Sequence, residues 1–225
     1  MPSATTIQLL GLAGVLSYAA ARFATQARVI GYSRYSIVAI PRHGLPKMPR
    51  GFTVRPLSFD ELATYKIDAT REEQERRFNQ GLTCLAAFNA SGDFVGITWL
   101  GTKAFDESMV RLRFVVPDNA IWDTGLWIHP DHRLGRGFAA LWAATGEWMD
   151  AHDRNWSISW IADYNLPSLL SHRRMGSQLL GHITTLRLFH WQFMSQGRPR
   201  LTRIDRGRIA EMLLPRPVET AVQTA

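Results

Sequence analysis

Two stretches of this sequence carry residue types at spacings that could do chemistry. The first is His129-Pro130-Asp131-His132-Arg133-Leu134-Gly135-Arg136-Gly137-Phe138-Ala139-Ala140-Leu141-Trp142. It reads as the end of a strand, a basic Gly-rich turn and the start of a helix, with apolar Phe138, Leu141, Trp142, Thr145, Trp148 and Met149 at helical spacing. Gly135 and Gly137 let backbone N–H groups converge at the new N-terminus, where unpaired donors and the helix dipole favour an anion. Arg133 and Arg136 add positive charge, and the turn reads as a pyrophosphate cradle. The second stretch, Asn165 to Gly176, reads as a helix capped by Asn165, with Pro167 tolerated in its first turn and Gly176 as its stop. His172 lies four residues on from Ser168 and seven on from Asn165, so the three share a face. A histidine there can donate a proton near neutral pH.

Together the two stretches resemble the GNAT superfamily of coenzyme A-dependent N-acyltransferases. The first resembles that family's pyrophosphate motif, an Arg or Gln followed by Gly-X-Gly/Ala, and the second its Asn-X-X-Ser/Ala…Tyr-X-X-X-Gly-Phe motif. The resemblance runs from about Gly51 to Phe193. Leu134 stands where the family has its Arg or Gln, with Arg133 beside it, and the spacing from Ile128 favours one extra loop residue. His172 replaces the family's Tyr, and Ser177 its Phe.

The resemblance implies an α+β fold: a GNAT-like mixed, mostly antiparallel central sheet flanked by helices, here with an N-terminal apolar helix extension. It implies an N-acyltransferase, most simply an N-acetyltransferase, using acetyl-CoA or another acyl-CoA as co-substrate. Arg133, Gly135, Arg136, Gly137, Phe138 and Ala139 would hold its pyrophosphate. The amides around Leu126 and Ile128 would polarise the thioester carbonyl, Asn165 and Ser168 would face the coenzyme, and His172 would protonate the departing thiolate. Many relatives place a general base, a Glu, on the strand face shared with Ile128, which by alternation falls on Thr124 or Trp122. Neither accepts a proton. Asp123, turned by a β-bulge, Asp163 or an ordered water are the alternatives. A second reading keeps the fold without catalysis, as a membrane-surface or CoA-binding module.

The elements that must position these residues are legible along the chain. Residues 1–50 read as an apolar helix, a basic segment and a linker, 51–195 as the GNAT-like domain and 196–225 as a basic tail. Thr5 to Ala21 carries no charge, and no Asp or Glu precedes Asp60, whereas Arg22, Arg28, Arg34, Arg42, Lys47 and Arg50 do. That combination suits peripheral attachment of residues 5–24 to an anionic cytoplasmic membrane face, or packing on the domain or on a second subunit as a homodimer. Arg34–Ile40 reads as an added strand, and Phe52–Leu57 as the first of the domain. Ser58 and Glu61 are spaced as a capping box, and Arg71–Gln80 is a charged helix. Leu82–Phe88 and Phe94–Leu100 form a hairpin across Asn89–Asp93. Met109–Val116, Ile121–Ile128, Trp156–Ile161 and the run Leu179–Phe193 complete the strands.

A formal charge of +7 and a pI near 10.2 point to anionic partners, the coenzyme phosphates and acidic lipid among them. Nucleic acid is disfavoured because the basic ends are not interleaved with aromatics. The single cysteine, Cys84, excludes an internal disulfide and a cysteine metal cluster, and suits a reducing, cytoplasmic compartment. His182 and His190 have no acidic or histidine partner at ligand spacing, so no metal site is expected. The acceptor class is a small-molecule amine or one linked to a sugar or lipid.

Overall fold

Runs rich in Val, Ile, Phe, Trp and Thr, punctuated by Gly, Pro and Asn, dictate a chain of strands with few helices between them. The computed structural model describes residues 11, 14–20, 30–133 and 135–218. Twelve strands occur among them: β1 Ile30–Pro41, β2 Phe52–Leu57, β3 Thr83–Asn89, β4 Phe94–Gly101, β5 Phe105–Glu107, β6 Leu112–Val115, β7 Ala120–Ile128, β8 Trp156–Ala162, β9 Gln178–Leu188, β10 Trp191–Met194, β11 Leu201–Arg203 and β12 Ala210–Leu213. The helices are α1 Phe59–Leu62, α2 Arg71–Asn79, α3 Gly137–Ala151 and α4 Leu166–Arg174, and residues 14–20 are also helical.

Nine strands form one sheet in the order β11-β10-β9-β1-β8-β7-β4-β3-β2, and β12-β6-β5 form a second, smaller one. Every neighbouring pair of the large sheet is antiparallel except β7 and β8. The fold is thus α+β, with a mostly antiparallel sheet flanked by helices. On one face α3 packs Leu141 and Trp142 against Val95, Leu100 and Ile121. On the other, α1, α2 and the small sheet enclose Trp99, Trp122 and Phe114, the last two stacked at 4.6 Å.

The sheet reaches past the limits expected for the domain. The strand expected at Arg34–Ile40 is β1, and it lies between β8 and β9, with Ile37 and Ala39 buried on one face and Ile40 on the other. A segment buried on both faces belongs to the core, so the boundary at residue 50 does not separate it. Likewise β11 pairs with β10 and β12 with β6, which ties the basic tail into both sheets. The strand expected at Met109–Val116 shortens to β6 and joins the small sheet. Leu134 and residues 5–10, 12–13 and 21–24 of the apolar segment lie outside the described residues. No described helix is long and apolar enough to cross a membrane.

Candidate active site

Between β7 and α3 the chain makes a single 3-10 turn, Pro130–His132, where Pro130 supplies the fixed φ and the His129 ring accepts from the Asp131 amide. Arg133, Gly135 and Arg136 are exposed, and α3 starts at Gly137 with no acidic residue in its first turn. Gly137 is required by packing: a Cβ there would lie 2.2 Å from Val95 Cγ1 on β4. The helix N-terminus is thereby pressed against the sheet while its first amides and two guanidinium groups face outward, and Phe138 and Ala139 are half-buried behind them. This is the donor set a pyrophosphate needs.

Beside this turn the sheet opens. β7 and β8 pair only from Ala120↔Trp156 to Trp122↔Ile158, so β7 beyond Trp122 has a ladder on its β4 side alone. That ladder slips between Ile97↔Trp127 and Trp99↔Thr124, a bulge at Gly125, whose φ of +61 is easy only for glycine. The His129 amide donates to Val95 of β4, so by alternation the Ile128 amide faces the open edge. Leu126 adjoins the bulge, and both side chains pack on the α3 face.

The expected catalytic side chains lie elsewhere. Asp123 precedes the bulge and is not turned by it: it sits 5 % exposed, accepting hydrogen bonds from the Ser157 hydroxyl at 2.7 Å and from the Ser159 hydroxyl. Ser159 also faces His172 Nε2 at 3.3 Å, and His172 Nδ1 donates to the Ser168 carbonyl at 2.8 Å. His172 is 7 % exposed and meets the Trp142 ring edge-on at 5.3 Å. Burial pushes the Asp123 carboxyl up, opposed by the charge of His172 and by the Ser159 and Ser157 hydroxyls. The structure thus brings Asp123 and His172 together inside the protein, where they join β7, β8 and α4. Asn165 caps α4 through the Ser168 amide, as the sequence predicts. Asp163 is apart from both. It accepts from Ser17 at 2.9 Å and faces Arg34 at 3.6 Å beneath the helical segment 14–20, and burial raises its pKa against those two partners.

What the opening does meet, on the face away from α3, is a cleft of about 390 Å³ lined by Thr124, Gly125, Trp127, Trp160, Arg77 and Glu107, among others. Glu107 closes β5, and its Oε1 accepts from the Ser108 and Met109 amides at 2.8 and 3.1 Å. Burial raises its pKa above the usual carboxylate range, outweighing those amides and Arg76, and the charge of Glu73 adds to the rise. Burial also pushes Glu73 upward, but Arg76 and Arg77, both at 2.8 Å, together hold it below the usual range. Two carboxylates in one cleft are thus driven in opposite directions, the arrangement that separates an acid–base group from a structural one. Sequence reasoning missed Glu107, since only the topology of the small sheet carries it to β7. A larger hollow of about 560 Å³ shares Glu107 and Ser108 on the outer side of α2. Cys84 is no nucleophile: it is buried, which pushes its thiol up to about 12. Among the described residues no group of His, Cys, Asp and Glu could hold a metal ion.

No family model matches the chain, and a search of curated proteins finds no match. Solved structures do resemble it. A functionally unknown conserved protein from Staphylococcus epidermidis matches 73% of this chain and 65% of its own at 11% identity and a TM-score of 0.50. A GCN5-related N-acetyltransferase from Kribbella flavida matches 74% and 63% at 16% identity and a TM-score of 0.46. Another from Sphaerobacter thermophilus matches 76% and 55% at 21% identity and a TM-score of 0.45. The match covers less than two thirds of each of these chains, and at such identities it concerns the fold alone.

Proposed function

We propose that this protein transfers an acyl group from an acyl-CoA to an amine at the opening between β7 and β8. The observation that carries this reading is the way these strands part after Trp122 and Ile158, with a basic helix N-terminus on one side and a carboxylate-lined cleft on the other. A thioester carbonyl lying along the free edge of β7 meets the Ile128 amide, a fixed donor that stabilises charge on its oxygen as the amine adds. The donor's pyrophosphate falls to Arg133, Gly135, Arg136 and the first amides of α3. Acyl-CoA would supply the activated acyl group, and its sulfur would leave as a thiolate that solvent protonates.

The amine comes from the cleft, and Glu107 is the base that takes its proton, since burial raises its pKa and makes the carboxylate a stronger base. The cleft's aromatic wall, Trp127 and Trp160, and its two carboxylates favour a cationic or partly apolar amine over an anionic acceptor. Release of free coenzyme A from acetyl-CoA, measured with a panel of primary amines, tests the reading. Titration of coenzyme A by calorimetry separates its two halves: binding without turnover for any amine leaves the non-catalytic, CoA-binding alternative, and no binding ends both.

A further inference from the structure

Among the described residues, nothing covers one face of the sheet over β9, β10 and β11. Strand pairing sets Tyr32, Leu186, Phe193 and Leu201 in one cross-strand row and Leu188, Trp191 and Arg203 in the next. The opposite face of the same strands buries Thr185, Gln192, Met194 and Thr202. On the bare face the apolar side chains are 43–53% exposed, and Phe189, at the tip of the β9–β10 hairpin, is 63% exposed. Phe189 also holds a φ of +50, a conformation that bulky residues adopt only at an energetic cost. Folding gains nothing from an aromatic ring held in solvent on a strained turn.

A second element shares this face. Arg34 and Tyr32 alternate onto it along β1, and Arg34 meets Asp163, which accepts from Ser17 of the helical segment 14–20. Gly14 and Ser17 are buried against the domain, while Leu16, 60% exposed, and Ala19 point outward. A helical segment whose described residues carry no charge and which leaves Leu16 outward suits an apolar medium better than water. Arg203 stands on this face, where it neutralises Asp205 and covers the Trp191 ring at 5.5 Å, and Arg206 and Arg208 are exposed just beyond β11.

We propose that the protein docks peripherally on an anionic lipid bilayer through this face, with Phe189, Trp191 and Leu16 entering the headgroup boundary and the arginines meeting lipid phosphates. Charge decides between occupants. A second copy would set a net charge of +7 against the same charge, whereas an anionic leaflet attracts it. Leu16, Leu186, Leu188 and Leu201 interrupt the aromatic side chains Tyr32, Phe189, Trp191 and Phe193 with aliphatic ones, which suits acyl chains better than stacked bases. This inference is independent of the acyl-transfer reading and is read out without activity.

The test is co-sedimentation of the full chain with vesicles of phosphatidylcholine alone or with one third phosphatidylglycerol, at low and high salt. Wild-type protein should bind the anionic vesicles at least about tenfold more tightly than the neutral ones, and salt should weaken it. The double variant Phe189→Asn, Trp191→Ser and the separate variant Leu16→Asp should each lower that affinity by about tenfold or more. Asn suits the left-handed turn better than Phe, so the double variant should melt no lower than the parent. Leu16 lies on a different element, so its variant tests the face even if the hairpin changes. Wild-type protein that ignores anionic vesicles would overturn the proposal. Equal binding by both variants would do so too, as would a wild-type dimer that the double variant dissolves while vesicle binding stays unchanged.

Discussion

His172 turns Nε2 to within 3.3 Å of the Ser159 hydroxyl, inside the protein and on the opposite side of the sheet from Glu107. A carbonyl only accepts, so the contact with Ser168 fixes a proton on Nδ1, and Ser159 has one proton to give, to Asp123 or to Nε2. Either way the pair is satisfied only as a unit. Replacing His172 by Phe removes the imidazole's contacts with Ser159 and the Ser168 carbonyl, leaves the Ser159 hydroxyl to Asp123 and the carbonyl to Ser171, and should lower stability by about 1–2 kcal/mol, read as a lower urea midpoint. Turnover per folded molecule should stay within about twofold of the parent, because this histidine touches neither cleft nor cradle. A hundredfold fall at unchanged stability would return His172 to the role of acid.

The cradle separates packing from charge. Gly137→Ala forces a methyl into Val95 and should destabilise the protein by roughly 1–3 kcal/mol through overpacking, whatever the ligand. Arg133→Ala and Arg136→Ala change exposed side chains, so they should leave the melting temperature alone. Each should weaken coenzyme A binding by about three- to tenfold, with a shallower salt dependence. Calorimetry at two ionic strengths checks this.

Local signals in the sequence were the ones that carried through to the structure. Ser58 and Glu61 form their reciprocal cap, Asn165 caps α4, and the hairpin at Asn89–Asp93 closes as its residues demand. The Gly-rich turn ahead of α3 is equally local. The place of β1 is not, because Ser36 pairs with Ile161 on one side and His182 on the other, and nothing near residue 36 specifies partners so remote. The same holds for the carboxylates weighed as the base. Asp123 lies on the strand expected to carry a base, but three buried hydroxyl and imidazole neighbours claim it. Glu107 has no motif around it and reaches the cleft because β5 and β6 fold under β7.

The pH dependence of turnover should report Glu107. Its folded pKa is raised by burial, so the base is protonated and idle in acid. Activity should rise with pH from the ordinary carboxylate range through that raised value, and Glu107→Gln should lower turnover by about 10²-fold and flatten this limb. Stability runs the other way. An acid with a raised folded pKa contributes stability below its unfolded pKa, and this is lost as pH rises through the folded value. The Gln variant should therefore lose less stability than the parent between acid and neutral pH. An equal loss of stability by parent and variant between the two pH values, read from urea melts, would show that Glu107 is not held protonated by the fold.

Gly125 is where the two faces of the site meet. Its φ of +61 makes the bulge, and a Cβ there would fall 2.2 Å from Arg77 Nη1 and 3.2 Å from the Trp99 ring. Arg77 is already committed, bonded to Glu73 and lying over Trp99 at 5.4 Å. Gly125→Ala thus strains the backbone and pushes Arg77 from Glu73 at once. The left-handed conformation alone should destabilise the protein by about 1–2 kcal/mol. Losing the bulge would shift the register of Leu126 and Ile128 by one residue, turning the Ile128 amide from the open edge toward β4. Turnover should then fall by 10²-fold or more, as for removal of an oxyanion donor. Coenzyme A affinity should hold within about threefold, since the cradle lies beyond His129. Full turnover in a folded Gly125→Ala protein would mean that the thioester is polarised elsewhere than on β7.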